Sequence, residues 1–164
     1  MNALVVYESF WGNTEAVARA IAEGVGGDTR AVHTDEATPE MLQGVELLVV
    51  GAPLMGFALP RKQNQDTLPA DKKAPRVADA SHPLMREWLK SVPKGTGRYA
   101  AFETRFKWSP GSATGGIAKA LEAVGYRPAV KRERFLISGT YGPMRDGEIE
   151  RARAWGTELA KAIS

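Results

Sequence analysis

Cysteine is missing from the 164-residue chain. That absence excludes disulfides, thiolate metal sites, iron–sulfur clusters and a cysteine nucleophile together, and it agrees with a reducing compartment. No apolar stretch approaches the ~20 residues that a membrane helix requires. The run Ala3 to Tyr7 near the start is too short for a signal peptide, and no basic residue precedes it. A cytoplasmic protein without membrane insertion is therefore expected. Histidine occurs only as His33 and His82. Separated along the chain, the two are not expected to form a metal pair; they read as a strand-end residue and a helix cap. Internal repeats and low-complexity segments are absent as well.

What remains suits one domain, expected to span 1–164. Hydrophobic residues make up 43% and charged residues 25%, enough apolar content for a core that needs no staples. The net charge of +3 is unevenly spread. Residues 1–50 carry eight acidic and two basic side chains, and the remainder eleven acidic and twenty basic. The basic part is either a solvated surface or a face that attracts an anionic partner or substrate.

Two continuous apolar runs, 3–7 and 46–52 (Glu-Leu-Leu-Val-Val-Gly-Ala), read as strands buried on both faces, the signature of a parallel sheet. Weaker strands are expected at 29–33 and 98–102, and a last one within 129–138 with Arg134 to Ile137 as its core. Helical periodicity marks 14–24, 113–124 and 147–163. Thr38 and Pro39 open a short helix as cap and first residue. Ser81-His82-Pro83 opens another, with Leu84, Met85, Trp88 and Leu89 turned inward. Trp88 and Trp155 are expected in the core. The stretch 53–80, with Pro53, Pro60, Pro69 and Pro75, reads as a long irregular loop. Strands and helices thus alternate, which implies an α/β fold with a five-stranded parallel sheet in the order 2-1-3-4-5 and helices on both faces.

In that topology a ligand sits beyond the strands ending at Tyr7 and Ala52, where strand order reverses. The loop there is Glu8-Ser9-Phe10-Trp11-Gly12-Asn13-Thr14, and it runs into a helix N-terminus, where free N–H groups and the dipole favour an anion. Ser9, Asn13 and Thr14 add short polar side chains, and Gly12 allows the close turn. The loop has no Lys or Arg, so neutral dipoles alone are expected to hold a phosphate. Neither Gly-Lys-Ser/Thr nor Gly-x-Gly-x-x-Gly occurs at this turn, which argues against an NTPase and a Rossmann dinucleotide site. Tyr7-Glu8 and Gly51-Ala52-Pro53 do not supply the acidic cluster of a response-regulator receiver. Ser9 has no neighbouring His motif and reads as a phosphate ligand rather than a nucleophile.

Ser9-Phe10-Trp11-Gly12-Asn13-Thr14 resembles the phosphate loop of the flavodoxin family, Thr/Ser-x-Thr-Gly-x-Thr directly after the first strand. Ser9, Gly12 and Thr14 match; Trp11 replaces the usual Thr. The order of elements resembles the family over the whole length. The resemblance implies a three-layer flavodoxin-like sandwich that holds flavin mononucleotide (FMN), with the phosphate at 9–14. The flavin ring is then expected between Pro53-Leu54-Met55-Gly56-Phe57 and Glu103-Thr104-Arg105-Phe106-Lys107-Trp108. An electron carrier or small flavin-dependent oxidoreductase follows, with an anionic redox partner protein or small-molecule electron donor or acceptor. The other reading is a non-redox module of the same fold that holds another phosphate-bearing ligand. Family carriers are acidic around the flavin, whereas these loops hold Arg61, Lys62, Arg105 and Lys107. Basic neighbours favour the reduced, anionic flavin, so the potential of the second electron is expected to be less negative. Arg127 to Arg134 reads as a charge-guarded edge strand. No recognition helix accompanies it, so nucleic acid is not an expected partner.

Overall fold

A computed structural model describes residues 1–68 and 73–164. Strand β1 (Ala3–Tyr7) lies at the centre of a parallel sheet, between β2 (Arg30–His33) and β3 (Leu47–Pro53), and β4 (Arg98–Arg105) pairs with β3. With β5 at Arg127–Pro128, the order is β2-β1-β3-β4-β5, as the alternation of elements implied. Alternate side chains of each central strand serve opposite layers. Val5, Leu47, Val49, Ala100 and Phe102 pack against helices α1 (Asn13–Val25) and α5 (Glu148–Ile163). Leu4, Val6, Leu48, Val50 and Ala101 pack against α3 (Met85–Lys90) and α4 (Thr114–Ala123). Trp88 and Trp155 are both in these cores, and the Trp88 indole donates to the Ala37 carbonyl at 2.8 Å. No helix among the described residues is long and apolar enough to cross a membrane.

The last expected strand, within 129–138, is found at Glu133–Leu136, and an unexpected two-residue strand precedes it. Arg127–Pro128 (β5) and Glu133–Leu136 (β6) both pair with β4, so the sheet has six strands. Pro128 has no N–H for the ladder, and the chain leaves the sheet before rejoining it at Glu133. Pairing with β6 carries β4 on to Arg105. Glu103, Thr104 and Arg105 therefore lie on a strand rather than in a loop, and the loop begins at Phe106. Both short strands sit at the edge, where their arginines guard the open side.

The 53–80 stretch is more ordered than its composition suggests. It contains a helix, α2 (Lys62–Thr67), whose first turn is closed by the Asn64 side chain accepting the Arg61 N–H at 2.9 Å. Pro69, expected in this loop, lies outside the described residues. The Thr38 cap forms on a 3-10 turn, Pro39–Leu42, with the hydroxyl accepting the Met41 N–H. His82 does not cap α3: Leu84 occupies that position.

Candidate functional site

A cleft of about 250 Å³ opens at the carboxyl ends of β1, β3 and β4. It brings together most of the residues that the sequence singled out. Ser9, Phe10, Trp11, Asn13 and Thr14 form one wall; Pro53, Leu54, Met55 and Gly56 a second; Thr104, Arg105 and Phe106 a third. Gly12, Phe57, Glu103 and Trp108 do not line it. Asn64 of α2, Ile137 and Thr140 do, though no motif marked them.

The first wall is a tight turn into α1. Gly12 is the residue before the helix and has φ 97°, a left-handed conformation that strains any side chain. The Ser9 hydroxyl accepts the Gly12 N–H at 3.0 Å, which leaves the hydroxyl hydrogen free to donate. Among the described residues no side chain caps α1, so the N–H groups of its first turn are open to an acceptor from outside. The Thr14 hydroxyl is bonded to that of Thr104 (2.8 Å), and the Asn13 amide donates to the Thr140 carbonyl (3.2 Å). Those two side chains thus brace the loop within the protein.

A positive charge also stands at this turn: the Arg76 guanidinium reaches it from a distant segment and donates to the Trp11 carbonyl. A side chain at Gly12 would collide with that guanidinium. Trp11 stands edge-on to Tyr141, ring centroids 5.0 Å apart, and its buried indole N–H has no acceptor among the described residues.

The second wall is a tight reversal. Met55 and Ala58 exchange backbone bonds (3.0 and 3.3 Å), with Gly56 and Phe57 at the tip. Both tip residues have positive φ, 57° and 71°, as a two-residue hairpin turn of this hand demands. Phe57 is exposed, and its carbonyl accepts the Ser112 N–H at 3.0 Å, tying this turn to the loop after β4. Phe106 and Trp108 stack with centroids 5.1 Å apart, Phe106 facing the cleft and Trp108 solvent.

Glu103 turns away from the cleft. Its buried carboxylate accepts the N–H groups of Ala113 (3.0 Å) and Thr114 (3.1 Å) at the start of α4 and pairs with Arg105 at 2.9 Å. The Arg105 guanidinium also donates to the Gly111 carbonyl at 3.0 Å. The expected basic surroundings are thus thinned. Arg105 is compensated by Glu103 and Lys62 by Asp66; Lys107 and Arg61 remain exposed.

Behind the first wall lie groups that the sequence did not place. The two histidines, far apart along the chain, meet with ring centroids 3.8 Å apart. Both bond to Ser9: its N–H donates to His33 Nε2 and its carbonyl accepts from His82 Nε2, each at 3.1 Å. Burial, then the neighbouring His82, pushes the His33 pKa down. Glu8 is fully buried, with one carboxylate oxygen bonded to the Met85 N–H (3.0 Å) and the other without a partner among the described residues. Burial raises its pKa from 4.5 to about 8, against the opposing Met85 bond and Arg86.

No family model and no curated protein matches the chain. Solved structures do. A flavodoxin from the domain Archaea aligns over 99% of both chains at 23% identity, TM-score 0.69. Oxidised flavodoxin 1 from Bacillus cereus aligns over 100% of both at 18% identity, TM-score 0.71. The flavodiiron core of Flv1 from Synechocystis aligns with 99% of this chain and 36% of its own at 20% identity, TM-score 0.65. The fold is flavodoxin-like.

Proposed function

We propose that this cleft binds FMN and that the protein uses it in redox chemistry, as an electron carrier or a small flavin-dependent oxidoreductase. The observation that carries the reading is the turn at Ser9–Thr14. An uncapped helix N-terminus and a Ser9 hydroxyl with its hydrogen free stand at the sheet's topological switch point, where this fold takes its ligands. Arg76 adds the positive charge that a phosphate favours. The residues fit the rest of FMN as well. Between Met55 and Phe106 the cleft presents apolar walls, with polar side chains such as Asn64 and Thr140 at its margin, the mixture that a flat ring with a polar edge requires.

Bound FMN supplies one- and two-electron transfer; the protein binds, orients and tunes. Ser9 and the first turn of α1 hold the phosphate. Leu54 and Met55 on one side and Phe106 on the other hold the ring and exclude water. The exposed Lys107 and Arg61 at the loops around the cleft favour an anionic partner.

The test is the visible absorption spectrum of the purified protein before and after addition of FMN. A flavin spectrum that stays with the protein through gel filtration, and weakens in Ser9→Ala and Thr14→Val variants, is the expected result. No bound flavin in excess FMN would overturn the reading.

A further inference from the structure

Ser9 is held by its backbone from both sides. Its N–H donates to His33 Nε2 and its carbonyl accepts from His82 Nε2, each at 3.1 Å, and the two rings touch. This residue opens the phosphate loop. Its hydroxyl, in turn, takes the Gly12 N–H and so sets the turn into α1. We propose that His33 and His82 are positioning residues of this loop, and that its affinity for a phosphate-bearing ligand falls when His33 takes up a proton.

The chemistry of the first contact sets the direction. A ring nitrogen that accepts an N–H must have a lone pair, so His33 carries its hydrogen on Nδ1. That atom faces Asp35 and Asp79, each at 4.0 Å. Protonation puts a hydrogen on Nε2 as well, and two donors then face each other at Ser9. The peptide must turn, and the loop loses the shape in which its N–H groups converge. A new positive charge would by itself attract phosphate. The groups around His33 blunt that effect: Glu15 from α1, Asp35 and Glu36 from the turn after β2, and Asp79 are acidic, against Arg19, Arg76, the stacked phenol of Tyr7 and His82. Burial, then the neighbouring His82, shifts the His33 transition down from the ordinary histidine value.

A divalent cation is the other use for His33, Asp79 and His82, whose ligand atoms lie within 4.8 Å of one another. The bonding disfavours it. The lone pair of His33 is spent on Ser9, and His82 must donate to the Ser9 carbonyl, its other nitrogen facing the Pro83 carbonyl at 3.2 Å. A metal would have to break the clamp to find its ligands.

The identity of the ligand rests on the FMN reading; the clamp does not, and two measurements separate them. In the ligand-free protein, imidazole nitrogen NMR should show His33 with its hydrogen on Nδ1, and the Ser9 amide signal should move with the His33 titration. FMN and riboflavin are then titrated by flavin fluorescence between pH 5 and 8. Wild type should lose about tenfold in FMN affinity on acidification beyond the loss in His33→Gln. That variant keeps an acceptor for Ser9 but does not titrate, and it reports the phosphate's own protonation. His33→Leu should bind FMN weakly throughout, and riboflavin affinity should stay flat in all three. Identical pH profiles for wild type and His33→Gln, or a His33 hydrogen on Nε2, would overturn the proposal. If FMN binds at no pH, the functional reading fails, and the NMR result alone decides the clamp.

Discussion

The hydroxyl oxygens of Thr14 and Thr104 lie 2.8 Å apart, both buried, and their bond ties the first turn of α1 to the end of β4. Two strands that are not neighbours in the sheet, β1 and β4, thereby deliver their loops to one cleft in fixed register. Thr104→Val leaves the Thr14 hydroxyl buried without a partner, at a cost of about 1–3 kcal/mol. The double variant Thr14→Val/Thr104→Val should lose less than the sum of the single variants, because neither side is then orphaned. Urea unfolding of the four proteins measures the difference; strict additivity would mean that the bond contributes nothing.

Much of this architecture is legible in the sequence. Strands β1 and β3 are buried on both faces, so they stand out as unbroken apolar runs. The turn into α1 is local, and its spacing carries it. What escaped is of two kinds. Helix α2 buries no side chain, so Lys62–Thr67 has no apolar stripe to mark it. The contacts of Arg76 with Trp11, and of His33 with His82 and Ser9, join residues distant in sequence. No periodicity encodes them; only the chain's return past β1 and β2 creates them.

Glu8 makes the stability depend on pH. In the unfolded chain it loses its proton near 4.5; in the folded chain burial holds the proton to about 8. Between those values the folded state binds more protons, so this contribution to stability is fully present below pH 4.5 and declines as pH rises, by up to about 1.4 kcal/mol per pH unit. Glu8→Gln keeps an acceptor for the Met85 N–H without a charge. Its stability should be flatter between pH 5 and 8 and exceed wild type at pH 8. Parallel pH profiles in urea unfolding would show that Glu8 does not carry the effect.

Phe57 adopts a φ of 71° at an exposed hairpin tip, a conformation that costs a bulky residue about 1–3 kcal/mol. Glycine adopts it freely. Phe57→Gly should leave stability unchanged or raise it by up to about 1 kcal/mol, since the freer unfolded chain offsets part of the relief. If the ring covers bound flavin or a docked partner, the same variant should weaken FMN retention or slow electron transfer. A variant that is less stable than wild type would place the role of Phe57 in folding instead.

Surface charge should set the flavin potential. Arg105 and Lys62 are neutralised by Glu103 and Asp66, so exposed Lys107 and Arg61 are the side chains through which the loops act. At roughly 10 Å and a dielectric near that of water, one charge contributes about 0.4 kcal/mol. Reversing it in Lys107→Glu therefore amounts to about 0.8 kcal/mol, or roughly 35 mV for a one-electron step. The potential for forming the anionic reduced flavin should become more negative by that order, and the difference should shrink as salt is raised. Arg105→Gln is a poor probe of the same effect, because it orphans the buried Glu103 carboxylate. Redox titration of FMN-loaded wild type and Lys107→Glu at low and high salt gives the answer. Equal potentials at low salt would show that the side chain's charge does not reach the ring, and that the backbone and apolar walls of the cleft set the potential.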